Sequence, residues 1–184
     1  MDPITTTDAL AAACETLTAL PAGALARHEA VLRDRLVTGL RTVPGVQIAQ
    51  LWSDSSDPVG VVTFTVGEHD PGLVAAYLSA EHGLGVRDGR FCAHPLLARL
   101  GLDAGAIRAS IGVGTTSDDV DRLVEGLVSY VGEGPRQRYE IADGCWTVAD
   151  DERPVPTIGG LSELVATAAA ACGPAPAHRG ARVA

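Results

Sequence analysis

The sequence predicts an α/β fold: a small mixed or antiparallel sheet with helices on one face, preceded by helices. Three observations predict it. Strand-like and helix-like hydrophobic patterns alternate between residues 46 and 131. The links within Leu84–Val113 are short, which suits antiparallel or mixed pairing. Two helical stretches come first, with no strand between them.

Residues 1–8 are polar and threonine-rich, and Thr5, Thr6, Thr7 and Asp8 offer N-caps for an alanine-rich helix near 8–20. Pro21 and Gly23 end it. A second helix runs from Ala24 to Thr42, with Leu25, Leu32, Leu36 and Leu40 on one stripe. Arg27, Glu29, Arg33, Asp34 and Arg35 fill its solvated face. Pro44-Gly45 turns the chain into a first strand, Val46–Trp52, and residues 53–58 form a polar loop. Val59–Val66 is the clearest strand: Val62, Phe64 and Val66 share one face, and Val61, Thr63 and Thr65 the other. Asp70-Pro71 joins an N-cap to a proline at the first helical position. Leu73, Val74, Tyr77 and Leu78 form the buried stripe of that helix, and Gly83 closes it.

Leu84–Arg87 reads as a short strand, Asp88-Gly89 as a turn, and Cys92 follows on a loop. Pro95–Leu100 makes a short helix. Ile107–Val113 is a strand with Ile107, Ala109, Ile111 and Val113 inward, so Arg108 and Ser110 project from the opposite face. Thr115, Thr116 and Ser117 cap the next helix, and Asp118 and Asp119 suit its dipole. Val120, Leu123, Val124, Leu127, Val128 and Val131 are its apolar stripe. Tyr139–Val148 reads as a hairpin on Asp143-Gly144, with Ile141 and Trp146 available to pack. The expected division is four-fold. Residues 1–43 form N-terminal helices at an inter-domain joint, and 44–132 a small α/β domain with the cysteine loop. Residues 133–158 are hairpin and linker, and 159–184 a terminal helix, carrying Leu161, Leu164, Val165 and Ala168, with a disordered tail.

Composition narrows the function classes. The chain of 184 residues carries 14 basic and 23 acidic side chains, a net charge of −9, so no nucleic-acid partner or anionic membrane surface is expected. All 14 basic residues are arginines, so no side chain here can form a Schiff base with an aldehyde cofactor or a carbonyl substrate. Cys14, Cys92, Cys145 and Cys172 show no CxxC spacing, which argues against a structural zinc site. The start, MDPITTTDAL, has neither a basic region nor a long apolar run. A cytoplasmic, reduced-thiol setting is the expectation.

Two groups stand out chemically. Cys92 sits on a loop with Arg87 and Arg90 nearby, a setting in which a thiolate becomes useful. Arg108 is a planar guanidinium able to hold a carboxylate through two parallel hydrogen bonds.

GLGVRDGRFCAHPLL, then AIRASIGVGTT, then SDDVDRLVEGL, resemble the C-terminal small domain of class V aminotransferase-like pyridoxal phosphate enzymes, in the cysteine desulfurase/selenocysteine lyase branch. The upstream HEAVLRDRLVTGLRTVPGV looks like the helix and turn leading into that domain. The resemblance covers roughly residues 9–131 and implies the C-terminal domain of the aspartate aminotransferase-like fold. It implies that Cys92 is the cysteine that attacks the substrate's sulfur, leaving a persulfide and releasing alanine, and that Arg108 binds the substrate α-carboxylate. The sequence departs from that pattern where desulfurases often place histidine before the cysteine, having Arg90-Phe91, and where many members read Tyr-Asn-Thr, having Gly114-Thr115-Thr116. The resemblance also implies that the cofactor lysine belongs to a large domain. Pyridoxal phosphate is therefore expected only through a partner large domain, either a lysine-bearing polypeptide or a homo-oligomer, and these residues alone are expected to be inactive.

Plainer alternatives stand beside these. Cys92 can be an ordinary small hydrophobe, and Arg108 one half of an ion pair. The leading reading is the small-domain part of a desulfurase-like enzyme, and the alternative is a non-catalytic sulfur carrier or interaction module that keeps the fold. The GVGTT turn is either an anion site or simple capping. His94 is either a general acid beside Cys92 or a loop residue before Pro95. His28 and His82 read as helix-surface residues, His69 as a loop residue, and Cys14, Cys145 and Cys172 as inert.

Overall fold

The computed structural model describes residues 6–52 and 58–153. Its order is α1 (Thr6–Thr18), α2 (Ala24–Leu40), β1 (Val46–Ile48), β2 (Val61–Val66), α3 (Pro71–His82), β3 (Arg87–Gly89), α4 (His94–Arg99), β4 (Ala106–Ser110), α5 (Ser117–Glu133), β5 (Tyr139–Ala142) and β6 (Cys145–Val148). The expected terminal helix and Cys172 lie outside the described residues.

Four strands form an antiparallel sheet in the order β1-β2-β4-β3. Alternation decides its faces. Val62, Phe64 and Val66 of β2, with Ile107 and Ala109 of β4, are buried against Leu32, Leu36 and Leu40 of α2, Val74, Tyr77 and Leu78 of α3, and Val120, Leu123 and Leu127 of α5. The helices thus cover one face, and Thr63, Thr65, Arg87 and Arg108 belong to the other. Helix α1 follows from alanine propensity rather than packing, since it is exposed along its length and Leu10 is 65% exposed.

Where local chemistry defines an element, sequence and structure agree. The Asp70 carboxylate accepts the Gly72 N–H at 2.8 Å, Pro71 opens α3, and Gly83, at φ 65°, closes it. Helix α5 begins with a capping box between Thr116 and Asp119. The β5–β6 hairpin turns on Asp143 and Gly144, at φ 52° and 79°, the positive pair its two-residue loop requires.

Other expectations need correction. The strand expected at Leu84–Arg87 lies at Arg87–Gly89: the Leu84 N–H bonds back to the Leu78 carbonyl at 3.1 Å, so the chain is still leaving the helix cap there. Asp88-Gly89, expected as a turn, pairs with Ile107 and Ala106. The first strand stops at Ile48, and Trp52 is 68% exposed. Val113, expected inward, is 61% exposed, because Gly112 turns the chain through hydrogen bonds with Thr115. Ile141 is equally exposed, and Trp146 alone of the hairpin's two large apolar side chains is half-buried. His82 is no plain surface residue: its Nε2 lies 2.8 Å from the Tyr77 hydroxyl.

Candidate functional site

Cys92 sits between β3 and α4, exposed and with a free thiol. Phe91 and Cys92 both have positive φ, 52° and 57°, and the Ala93 N–H closes onto the Arg90 carbonyl at 2.8 Å. That is the signature of a type I′ turn, which favours Asn and Gly and costs a bulky L-residue about 1–2 kcal/mol. Both sides of the turn are anchored. Arg90 Nε donates to the Asp103 carbonyl at 3.1 Å, and Leu97 of α4 is buried. Gly105, at φ +100°, underlies the turn: a Cβ there would meet the Gly89 backbone at 2.9 Å, so only glycine permits this approach.

Arg108 lies on the face of β4 opposite the helices, with Thr63 of β2 on one side and Arg87 of β3 on the other. It is half-buried, and its Nε is buried without a hydrogen-bond partner. Among the described residues no carboxylate pairs with it. Its guanidinium carbon lies over the Phe91 ring, 5.3 Å from the centroid. The two residues singled out from the sequence therefore meet through Phe91, the immediate neighbour of Cys92. Arg87 adds a second cation on the same face, whereas Arg90 is occupied by Asp103.

The remaining candidates separate. His94 opens α4, exposed, with no hydrogen bond among the described residues to orient it toward the thiol. The GVGTT turn is filled by its own side chains: Thr115 Oγ1 accepts from Gly112, Thr116 Oγ1 from Asp119, and the Asp119 carboxylate from Thr116. These bonds, chiefly those with Thr116, hold the Asp119 carboxyl below its ordinary range. A carboxylate already seated at the helix start leaves the capping reading in place of the anion site. A half-open groove of about 270 Å³ is lined by Ala109, Ile111, Val120 and Leu123, and Arg108 is not among its lining residues. His28 reaches the Gly112 carbonyl at 3.3 Å, bracing that turn rather than the cysteine loop.

Sequence reasoning missed Phe91. The available signal was its place directly before Cys92, where the family pattern is broken. In the sequence Arg87 reads only as charge near Cys92; its place across from Arg108 comes from the register of β3 on β4.

The aminotransferase class-V family profile matches residues 2–123. The chain belongs to this family. It is 38% identical over 126 residues to a probable cysteine desulfurase of Pseudomonas putida, covering 68% of this chain and 29% of that protein. It is 33% identical over 118 residues to a cysteine desulfurase of Pectobacterium carotovorum, covering 64% and 28%. Among solved structures, the cysteine desulfurase CsdA of Escherichia coli aligns at a TM-score of 0.58 and 28% identity, over 66% of this chain and 29% of that one. The apo cysteine desulfurase of Thermococcus onnurineus aligns at 0.55 and 31% identity, over 59% and 26%. The chain thus spans less than a third of the length of these relatives. The β5–β6 hairpin lies beyond the family match.

These class-V matches bear out the family resemblance and the sheet-and-helix fold. The family uses pyridoxal phosphate, and the residues present do not fit its covalent attachment, since the sequence has no lysine. Among the described residues no helix is long and apolar enough to cross a membrane. None of their His, Cys, Asp and Glu side chains gather into a group able to hold a metal.

Proposed function

We propose that this chain forms the small-domain part of a cysteine desulfurase-like enzyme, with Cys92 as the sulfur-accepting thiol and Arg108 as the group that holds the substrate α-carboxylate. One observation carries the reading. Arg108 keeps a buried Nε without an acceptor, on the residue-91 side of an exposed cysteine turn. A buried donor with no partner is costly in an isolated fold, and an incoming carboxylate would satisfy it.

In this reading the Cys92 thiolate attacks the substrate's sulfur. An S–S bond forms as the C–S bond breaks, and the carbon keeps the electron pair and takes up a proton, giving alanine and an enzyme persulfide. Cys92 and Arg108 supply the acceptor and the orientation. No group among these residues withdraws the electron pair, so that part belongs to polypeptide outside them, together with the lysine.

The test combines the purified chain with a lysine-bearing class-V large domain, pyridoxal phosphate and a thiol reductant that discharges the persulfide as sulfide, and measures alanine and sulfide from cysteine. Turnover is expected, lost with Cys92→Ser, and with a raised KM in Arg108→Gln. Absence of product from an associated, cofactor-loaded pair would refute the proposal. The exposed thiol also suits a sulfur carrier, which would acquire persulfide on Cys92 from a sulfur donor with no large domain present.

A further inference from the structure

We infer that Phe91 is the positioning residue for Arg108: its ring fixes the guanidinium against the Cys92 turn, so that the anion-holding group and the thiol are set by one element. The inference rests on the roles proposed above for Arg108 and Cys92, and adds the part that joins them.

Four observations converge on it. The Arg108 guanidinium lies over the Phe91 ring at 5.3 Å, within the range of a cation–π contact. Phe91 reaches that place only through a left-handed backbone, φ 52°, followed by a second at Cys92, φ 57°. The turn's own hydrogen bond, from the Ala93 N–H to the Arg90 carbonyl, is backbone to backbone and needs no aromatic side chain. Finally, no acceptor orients the guanidinium: Arg108 Nε has no partner, and of its two cross-strand neighbours Thr63 makes no hydrogen bond to it among the described residues and Arg87 is like-charged. Among the described residues the Phe91 ring is the attractive contact that holds this cation. It uses the π-face of an apolar side chain, so it consumes none of the N–H donors a carboxylate needs.

The consequence is specific. Changing residue 91 should alter how a carboxylate is presented to Cys92 while leaving the intrinsic reactivity of the thiol alone. A substrate lacking a carboxylate would not sense the change.

Alkylation of the chain itself tests this without cofactor or partner. Cys14→Ser, Cys145→Ser and Cys172→Ser leave Cys92 as the sole thiol of the four. Its rate is measured with iodoacetate, which carries a carboxylate, and with neutral iodoacetamide, at low ionic strength. The ratio of the two reports the positive charge around the thiol, the Arg108→Gln variant reads the share owed to Arg108, and the iodoacetamide rate controls for loop structure. Arg108→Gln is expected to lower the ratio. Phe91→Leu is expected to lower it about threefold, the scale of a partly exposed cation–π contact, with the iodoacetamide rate unchanged. Phe91→Tyr, which keeps the aromatic face, is expected to restore it.

An unchanged ratio in Phe91→Leu, with a lowered one in Arg108→Gln, overturns the positioning role and leaves the carboxylate role of Arg108 standing. An equal fall of both rates in Phe91→Leu also overturns it, since the ring would then only support the loop. An unchanged ratio in Arg108→Gln removes the carboxylate role, and the inference with it.

Discussion

Arg108 of β4 stands directly across the sheet from Arg87 of β3, two like charges on one face with no carboxylate paired to either among the described residues. Like charges directly opposite each other destabilise a sheet, by an amount on the scale of ~0.2–1 kcal/mol for such pairs. Arg87→Glu should therefore raise stability by about that amount in chemical denaturation at low salt. The same change should depress the iodoacetate preference of Cys92, because the new carboxylate competes for Arg108. A variant no more stable than the parent would show that the two guanidinium groups do not feel each other.

Phe64 joins the two halves of the core. It is fully buried, with Ile48 and Ile107 as its cross-strand partners and the helices above it. Phe64→Ala should cost about 3–5 kcal/mol, the sum of lost transfer energy and an unfilled cavity. Urea unfolding with an unchanged m-value would measure it. A loss below ~1 kcal/mol would mean that the sheet and helices are not closely packed at this point.

The same residues show what could be read beforehand. Phe64 and its faces were legible because strict alternation in β2 is local information. Asp70, Pro71 and Gly83 bounded α3 for the same reason, each acting within its own turn. β3 was not legible, since three residues take their pairing from β4 rather than from their own sequence. The candidate site divides along the same line. Arg108 followed from alternation, and Cys92 from its setting and the family resemblance. The contact between Phe91 and Arg108 depends on two positive φ values that Phe-Cys does not suggest, and on β4 returning beside the loop.

Arg35 of α2 and Asp121 of α5 tie two helices of the core together through two hydrogen bonds of 2.6 Å each. Hydrogen bonding from Arg35 lowers the Asp121 pKa below its ordinary value of 3.8. A folded-state pKa below the unfolded one contributes stability that is complete above the unfolded value and lost as pH falls through the folded value. The Tm difference between wild type and Asp121→Asn should therefore be full at pH 7 and shrink below about pH 4. Raising the salt should shrink it as well, because both side chains are partly exposed. A gap that stays constant between pH 7 and pH 2 would assign the effect to something other than this pair.

Glu81 of α3 fastens the hairpin that lies beyond the family match. Its carboxylate accepts the Arg136 N–H at 3.0 Å, the Gln137 N–H at 3.1 Å and the Tyr139 hydroxyl at 3.0 Å. Burial first, and then Glu81, push the Tyr139 pKa well above the ordinary phenol range. Further along the hairpin, Trp146 packs so closely on α3 that a Cβ at Gly72 would meet its ring at 2.9 Å. Glu81→Ala should cost about 1–3 kcal/mol, chiefly from the part-buried Gln137 N–H and Tyr139 hydroxyl that lose a charged acceptor, and should speed amide exchange across residues 136–148. Gly72→Ala should displace Trp146 instead, shifting its fluorescence to the red in a Trp52→Phe background. The two variants separate the hairpin's attachments, one polar and one steric. If amide exchange across the hairpin stays slow in both, then neither Glu81 nor the Gly72–Trp146 contact is what holds it to α3.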